Sequence, residues 1–341
     1  MKRRTKLFSI IYVLFYLLFL NNCDKLIKNV SNKEITNKWI EKNNGLEVKS
    51  IQSLTINNQN TLYAGTSSGL YKSTNGASSW NKLSNGLISN DIRNIYCDIQ
   101  NTNILFVATW GGGIFKSEDG ATWSDISSNL PDPRVFSISQ SKNNPSLIFA
   151  GTETGLYRTL NIGLNWQKIN SPSVPTPTLL IIPNNIEIIF IGLKWYGVYV
   201  STNHGDTWSE KNNGIYKSLE GYFVSPTSLI YNPYDLETIY LSSEYPAIFK
   251  SKDSGEQWEM YQLPIKNGIV NCIVLNHNLP ETIFVGTDHG IFKSSDGAKN
   301  WIEINDGLTN LDVRALIIDP KNPRIIYAGT MGGGVFKMIL D

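Results

Sequence analysis

One string recurs along this chain at a nearly constant interval: glycine, an aliphatic residue, an aromatic residue, lysine, serine. It stands as Gly69-Leu70-Tyr71-Lys72-Ser73, Gly113-Ile114-Phe115-Lys116-Ser117 and Gly290-Ile291-Phe292-Lys293-Ser294, with variants that begin at Gly155, Gly197, Ala247 and Gly334. The seven copies lie 42 to 44 residues apart, with one interval of 50. Trp80, Trp123, Trp166, Trp208, Trp258 and Trp301 follow the first six at an offset of ten or eleven residues. The seventh copy reaches the C-terminus before any tryptophan, and the missing one stands at the other end of the chain. Trp39 is followed by Asn44-Gly45-Leu46 as Trp80 is by Asn85-Gly86-Leu87. A period of this size marks units that cannot cover their apolar faces alone and must stack on neighbours.

Each unit carries two further strand-like segments ahead of the recurring string. One is an aliphatic run such as 313–318, closed by Asp319-Pro320 or, in another unit, by Asn232-Pro233. The next reads Ile326-Tyr327-Ala328-Gly329-Thr330, with counterparts at Leu62, Leu105, Ile148, Ile189, Ile239 and Ile283. Short β-branched and aromatic runs bounded by Gly, Pro and Asn read as strands. Four strands in a unit of about 43 residues make a β-propeller blade. The runs are apolar at nearly every position, as expected of sheets covered on both faces. Gly65, Ala108, Gly151, Gly192, Gly286 and Gly329 suit a narrow approach to the axis. Residues 36–43 supply the outer strand of a last blade whose other strands come from 313–338. Joining the two chain ends removes an open sheet edge. The expected fold is therefore all-β: a seven-bladed β-propeller of four-stranded antiparallel blades, the last closed by the N-terminal strand. An open solenoid is the other architecture with this period, but it does not need its termini to complete each other.

The N-terminus reads as an address. Lys2, Arg3, Arg4 and Lys6 precede a 14-residue apolar run, 7–20, and no acidic residue occurs before Asp24. The run is short for a bilayer span and fits a signal peptide. It ends Leu20-Asn21-Asn22-Cys23, which resembles a bacterial lipoprotein signal with Cys23 as the lipidated residue, although Asn22 replaces the usual Gly or Ala. An uncleaved anchor or ordinary secretion are the alternatives. The domain reading is a signal peptide over 1–22, a polar, lysine-rich tether over 23–35 and the propeller over 36–341. It implies an exported, lipid-anchored protein of the cell envelope, at the outer membrane or the periplasmic face of a membrane. Without the four N-terminal bases, 26 Lys and Arg face 29 Asp and Glu. That balance argues against nucleic acid as a partner, which needs a basic face. Three cysteines are too few for a disulfide scaffold.

A second motif lies between the third and fourth strands: Ser-x-Asp/Asn-x-Gly-x-x-Trp, as in Ser251 to Trp258 and Ser201 to Trp208. Looser copies run from Ser73 to Trp80, Thr159 to Trp166 and Ser294 to Trp301, and the copy from Ser117 to Trp123 is one residue short. Ser and Asx side chains bond turn amides and Gly takes a left-handed backbone, so the motif reads as a turn. The six copies resemble the Asp-box, or BNR, repeat of sialidases, sortilin-type receptors, xyloglucan-cleaving glycosidases and photosystem II assembly-factor propellers. The resemblance implies that these turns lie on the face opposite the ligand site. Three copies carry Asn, which suits a structural turn better than a catalytic role for Asp119, Asp253 and Asp296.

The ligand face is then formed by the loops between second and third strands and by those entering each first strand. Two tryptophans are not required by the repeat, Trp110 and Trp195, and both fall in second-to-third loops, with Tyr196 and His289. Exposed aromatics there would stack on sugars or anchor a protein; otherwise they pack down on neighbouring loops. Counting nine residues from Gly45, Gly86 and Gly307 and stepping back two reaches Gln52, Arg93 and Arg314 in consecutive blades. Two arginines at one channel mouth favour a carboxylate, a phosphate or an acidic partner. Asp91 and Asp312, two residues earlier, allow an internal Arg–Asp network instead. The long interval comes from an insertion over 212–226 with Tyr216, Tyr222 and Phe223, a candidate flap over this face.

The arginine-isoleucine-proline signature of sialidases is absent, and a two-carboxylate glycosidase of the xyloglucanase kind draws its pair from two facing propellers. No nucleotide-binding glycine loop opens a helix, and His204, His277 and His289 are scattered. No catalytic residue, cofactor or metal is therefore assigned. Cys97 and Cys272 read as buried free thiols. The expected function is a non-catalytic, monomeric envelope lipoprotein whose loop face binds a protein partner or assembly client. The alternative is a glycan-binding or glycoside-hydrolysing propeller.

Overall fold

The computed structural model describes residues 37–83, 86–98, 101, 103–183 and 188–341; the signal segment 1–22, Cys23 and the tether 23–35 lie outside the described residues. Among the described residues, 28 strands form seven four-stranded antiparallel sheets, and there is no helix. The chain is a seven-bladed β-propeller. The first strands of the blades, Ile51–Ile56, Ile92–Cys97, Val135–Gln140, Thr178–Ile182, Pro226–Asn232, Val270–Asn276 and Val313–Ile318, stand side by side around the axis. The last of them packs beside the first, so the ring is closed.

Closure uses both chain ends. Ile40–Glu41 pairs with Gly334–Ile339 as the outer strand of blade 7, with Ile40 opposite Lys337 and Glu41 opposite Phe336. This strand has only two residues, and side chains extend the seam. Asn43 accepts the Val335 N–H at 2.7 Å and donates its amide to the Gly333 carbonyl at 2.7 Å.

Burial follows from stacking. Second strands such as Leu62–Thr66, Leu105–Thr109 and Ile148–Thr152 are buried at every residue, whereas the short fourth strands are largely exposed. Seven apolar clusters fill the spaces between adjacent blades. The glycines expected to crowd the axis serve the next blade instead. A Cβ on Gly286 would stand 2.7 Å from Val313 Cγ1, the first residue of the following inner strand.

Several repeat tryptophans tie their blade to the preceding one through the indole N–H, whereas Trp208 bonds Gly205 of its own turn and the Trp123 and Trp301 indoles are buried without a partner. Trp80 donates its indole N–H to the Lys42 carbonyl at 2.8 Å, Trp166 to Ile126 at 2.7 Å, and Trp258 to Lys211 at 2.8 Å. Each acceptor follows the fourth strand of the preceding blade. The Trp80 and Trp258 backbone N–H groups bond the Asn44 and Asn213 carbonyls. The glycine after each of those asparagines, Gly45 at φ +86° and Gly214 at φ +90°, lies over the tryptophan carbonyl where a Cβ would overlap it. This requirement accounts for the Asn-Gly pair in the sequence.

The six Ser-x-Asx turns share one network. In blade 5, Ser251 Oγ donates to Asp253 Oδ1 at 2.7 Å and accepts the Gly255 N–H, while Asp253 Oδ1 accepts the Gln257 N–H at 3.0 Å. Asn203 and Asn161 accept the equivalent amides of Thr207 and Asn165 at 2.9 Å. Such bonds favour the carboxylate where the residue is Asp. The Asn300 side chain and backbone amides and Ser294 pull Asp296 down to about 2. The Thr122 and Ala121 amides and the Thr122 hydroxyl hold Asp119 far below its ordinary value.

Candidate functional site

The axial mouth is built by a device repeated from blade to blade. In six first strands the pairing to the second strand slips by one residue near the start: between Ile51 and Ser53, Ile92 and Asn94, Val135 and Ser137, Pro226 and Ser228, Val270 and Cys272, and Val313 and Ala315. The residue left over in such a bulge is free of the ladder and its side chain is re-aimed. Those residues are Gln52, Arg93, Phe136, Thr227, Asn271 and Arg314. In blade 4 the strand starts two residues later, at Thr178, and Pro177 directly precedes it. All seven, with Met331, line an open cavity of about 320 Å3.

Both arginines of the mouth are paired. Asp91 takes Arg93 Nη2 on one oxygen and the Gln52 amide on the other, each at 2.8 Å. Asp312 holds Arg314 through Nε at 2.7 Å and Nη2 at 2.8 Å. Asn271 donates to the Val313 carbonyl at 2.9 Å and accepts from Arg314 at 3.4 Å. The internal Arg–Asp network is thus present. It leaves Arg93 Nε buried without a partner.

Trp110 lies down on this mouth. Its ring is 5.1 Å from Phe136, with the Arg93 guanidinium 5.0 Å from its centroid and that of Arg134 at 5.9 Å. Its backbone N–H bonds the Asp91 carbonyl at 2.9 Å. Arg134, which is also bonded to Asp132 at 3.0 Å, backs Trp110 at the rim of the mouth without lining the cavity, and its place there was not legible in the sequence. The available signal was its place directly before the first strand of blade 3, where Asp91 and Asp312 stand in their blades.

Trp195 and Tyr196 are brought together elsewhere on the same face. Trp195 is 50% exposed and Tyr196 43%. The insertion over 212–226 folds back on itself: Lys217 bridges Phe223, and the Ser218 N–H bonds the Tyr222 carbonyl at 2.8 Å. It lies against the blade 4 loop, with the Phe223 N–H on the Trp195 carbonyl at 3.1 Å, and against blade 5, with Tyr216 stacked on Tyr245 at 4.7 Å. His289 is on blade 6, where its Nδ1 meets Asp288 Oδ1 at 2.8 Å. Burial opposes the charged form of Asp288, but the Ile269 amide and the His289 ring hold its carboxyl below the usual range.

Cys97 and Cys272 are free and half-buried, and desolvation pushes their thiols up to about 11 and about 12, so the thiolate is scarce at neutral pH. Among the described residues, no three His, Cys, Asp or Glu side chains gather into a set that could hold a metal ion.

The fold and this mouth define a single closed β-propeller with a lined axial cavity on its loop face. Residues 13–228 match the family described as the DUF6242 beta propeller domain, and the chain belongs to that family. The match ends within the first strand of blade 5. No curated protein matches the chain in sequence. Among solved structures it is similar to the GH74 xyloglucanase from Xanthomonas campestris, with 16% identity, a TM-score of 0.70, and coverage of 88% of this chain and 53% of that one. It is similar to the extracellular domain of a putative one-component system from B. thetaiotaomicron, with 16% identity, a TM-score of 0.68, and coverage of 86% and 39%. The YCF48 structure with bound D1 peptide gives 15% identity, a TM-score of 0.66, and coverage of 91% and 97%. The chain therefore spans about half of the xyloglucanase and nearly all of YCF48. At these identities the likeness is one of fold.

Proposed function

We propose that this protein is a non-catalytic, lipid-anchored binding protein of the bacterial envelope whose loop face holds a protein partner. The six Ser-x-Asx turns are read as Asp-boxes, 1–22 as the export signal, Cys23 as the lipidated residue and 23–35 as the tether. The observation that carries the binding reading is the mouth, where bulged residues from six blades and Pro177 from the other turn toward one cavity. A guanidinium has five donors, and Arg93 spends one on Asp91 while its Nε remains without a partner. An entering carboxylate, from an acidic side chain or a chain end, would take those donors in competition with Asp91 and Asp312. That YCF48, a propeller of similar extent, is seen with a bound D1 peptide supports a peptide as the occupant.

The test is a random-peptide array probed with the full chain. Acidic or carboxylate-ended peptides are expected to be enriched, and Arg93→Ala with Arg314→Ala should weaken them about tenfold or more, as for a lost charge-assisted bond. The melting temperature should stay near that of the parent. Unfolding of the double variant would leave the network as structural and overturn the reading. A glycan array separates the alternative, which the exposed Trp195 and Tyr196 favour: saturable sugar binding lost in Trp195→Ala would replace the protein-partner reading. For the anchor, Cys23→Ala should abolish acyl labelling and release the protein from membranes.

A further inference from the structure

The loop that carries Trp195 has a counterpart of equal length in two other blades. Aligned on the glycine that opens each third strand, Gly113, Gly197 and Gly334, Trp195 falls where the others have Gly111 and Gly332. Those glycines have φ +97° and +113°, and Trp195 is held at φ +67°. A bulky L-residue in the left-handed region is strained, and such strain persists only when something else over-determines it. Here it stands an indole half out in solvent.

The ring carried by this strained backbone belongs to a groove of about 230 Å3 whose lining includes Trp195, Tyr222, Phe223, Glu220 and Glu244. Trp195 and Tyr222 tilt against each other at 6.4 Å. The insertion that lengthens one repeat supplies Glu220, Tyr222 and Phe223, and the neighbouring blade supplies Glu244. Neither carboxylate has an ion pair among the described residues, although Lys217 is three residues from Glu220 and Lys194 directly precedes Trp195. Those two ammoniums lie over rings instead, Lys194 at 4.8 Å from the Trp195 centroid and Lys217 at 4.9 Å from that of Phe223. The rings thus already draw cations to their faces, and the groove retains two unpaired negative charges. The axial mouth differs, since each arginine there has its aspartate.

We infer that this groove is a second binding site, specific for a lysine or arginine side chain of a protein partner. The aliphatic stem packs on Trp195 and Tyr222 and the charged head meets Glu220 and Glu244. The inference shares with the previous section only the premise that the loop face binds protein. Its residues are separate from Arg93 and Arg314, so either reading can fail while the other stands.

The full chain, labelled with fluorotryptophan, would be titrated with acetyl-Gly-Lys-Gly-amide, its arginine counterpart and a norleucine control. The Trp195 fluorine line is assigned by its loss in Trp195→Gly. The lysine and arginine peptides should shift that line saturably, with norleucine at least about tenfold weaker. Glu220→Gln with Glu244→Gln, both exposed, should abolish the difference. Trp195→Gly should melt at or above the parent temperature and lose peptide binding by calorimetry, because glycine relieves the strain and removes the platform. Equal binding of norleucine would make the groove merely apolar. Shifts by cellotetraose and not by lysine would make it a sugar platform, and no shift by any probe would remove the site. Each of these three results overturns the proposal.

Discussion

The indole N–H of Trp39 donates to the carbonyl of Ile304 at 2.6 Å, joining residues 265 apart in sequence. The bond is the one that Trp80, Trp166 and Trp258 make to their preceding blades, here made by the N-terminal segment of blade 7 to blade 6. Trp39 is 2% exposed and packs with Phe284 and Ile291 of blade 6 and Phe336 of blade 7.

Trp39→Ala should therefore cost the stability of a core aromatic, about 3–5 kcal/mol, in urea unfolding. Deleting 36–45 should lower the melting temperature further, because Ile40–Glu41, Asn43 and Gly45 go as well. A truncated chain that melts with the parent would show that the ring does not depend on its N-terminal strand.

The Asp-bearing turns should make the protein acid-sensitive in a defined window. The folded value of Asp296 is about 2, below the ~3.9 of an unfolded aspartate. Its contribution is complete above the unfolded value and is lost as pH falls through the folded one. Asp119 and Asp253 act in the same direction. Asp296→Asn keeps the Oδ1 acceptor, as at Asn75, Asn161 and Asn203. It should leave melting at neutral pH nearly unchanged and flatten the decline between about pH 4 and pH 2. An unchanged acid profile would show that the turn does not depend on the carboxylate's charge.

Two glycine substitutions should separate packing from backbone strain. Gly286→Ala places a methyl 2.7 Å from Val313 Cγ1 and Cys272 Sγ; it should cost roughly 1–3 kcal/mol through overpacking. Gly111→Ala meets nothing within 4 Å, and only its φ of +97° opposes it. That change should cost about 1–2 kcal/mol. Denaturant midpoints of the two variants give the comparison.

The thiols should resist alkylation while the ring is folded. With values raised to about 11 for Cys97 and about 12 for Cys272, the reactive thiolate is scarce at neutral pH. Iodoacetamide should label both only in denaturant, as read by mass spectrometry. Rapid labelling of either in the native protein would show that its strand opens readily.

Blade number, the closing strand and the turn motif were legible because each repeats at fixed spacing. The mouth was legible only in part. Gln52, Arg93 and Arg314 share a count from Gly45, Gly86 and Gly307. The same count from Asn129 reaches Phe136, but Asn129 adopts the left-handed backbone (φ +54°) in place of the expected glycine. Thr227 was hidden by the insertion before blade 5, Pro177 by an entry segment that lacks the Asn-Gly pair, and Asn271 because the pair before it, Asn267-Gly268, stands too close for the same count. Trp110 and Trp195 looked alike because both fall in second-to-third loops. They sit one position apart in that loop, and this shift puts one over the mouth and the other in solvent.

The sequence by itself determined a closed ring of seven blades, since only stacked neighbours can cover strands apolar on both faces, and only the N-terminal tryptophan can complete the last unit. It also determined which turns are structural, because hydroxyl, Asx and glycine at fixed offsets bond locally. Tertiary structure alone decided what the loop face presents. Bulged side chains reach the axis, Arg93 finds Asp91, Trp110 settles on Phe136 and the insertion meets Trp195. Such contacts join different blades or loops, and a one-dimensional period carries no information about which way a side chain turns once it leaves the ladder.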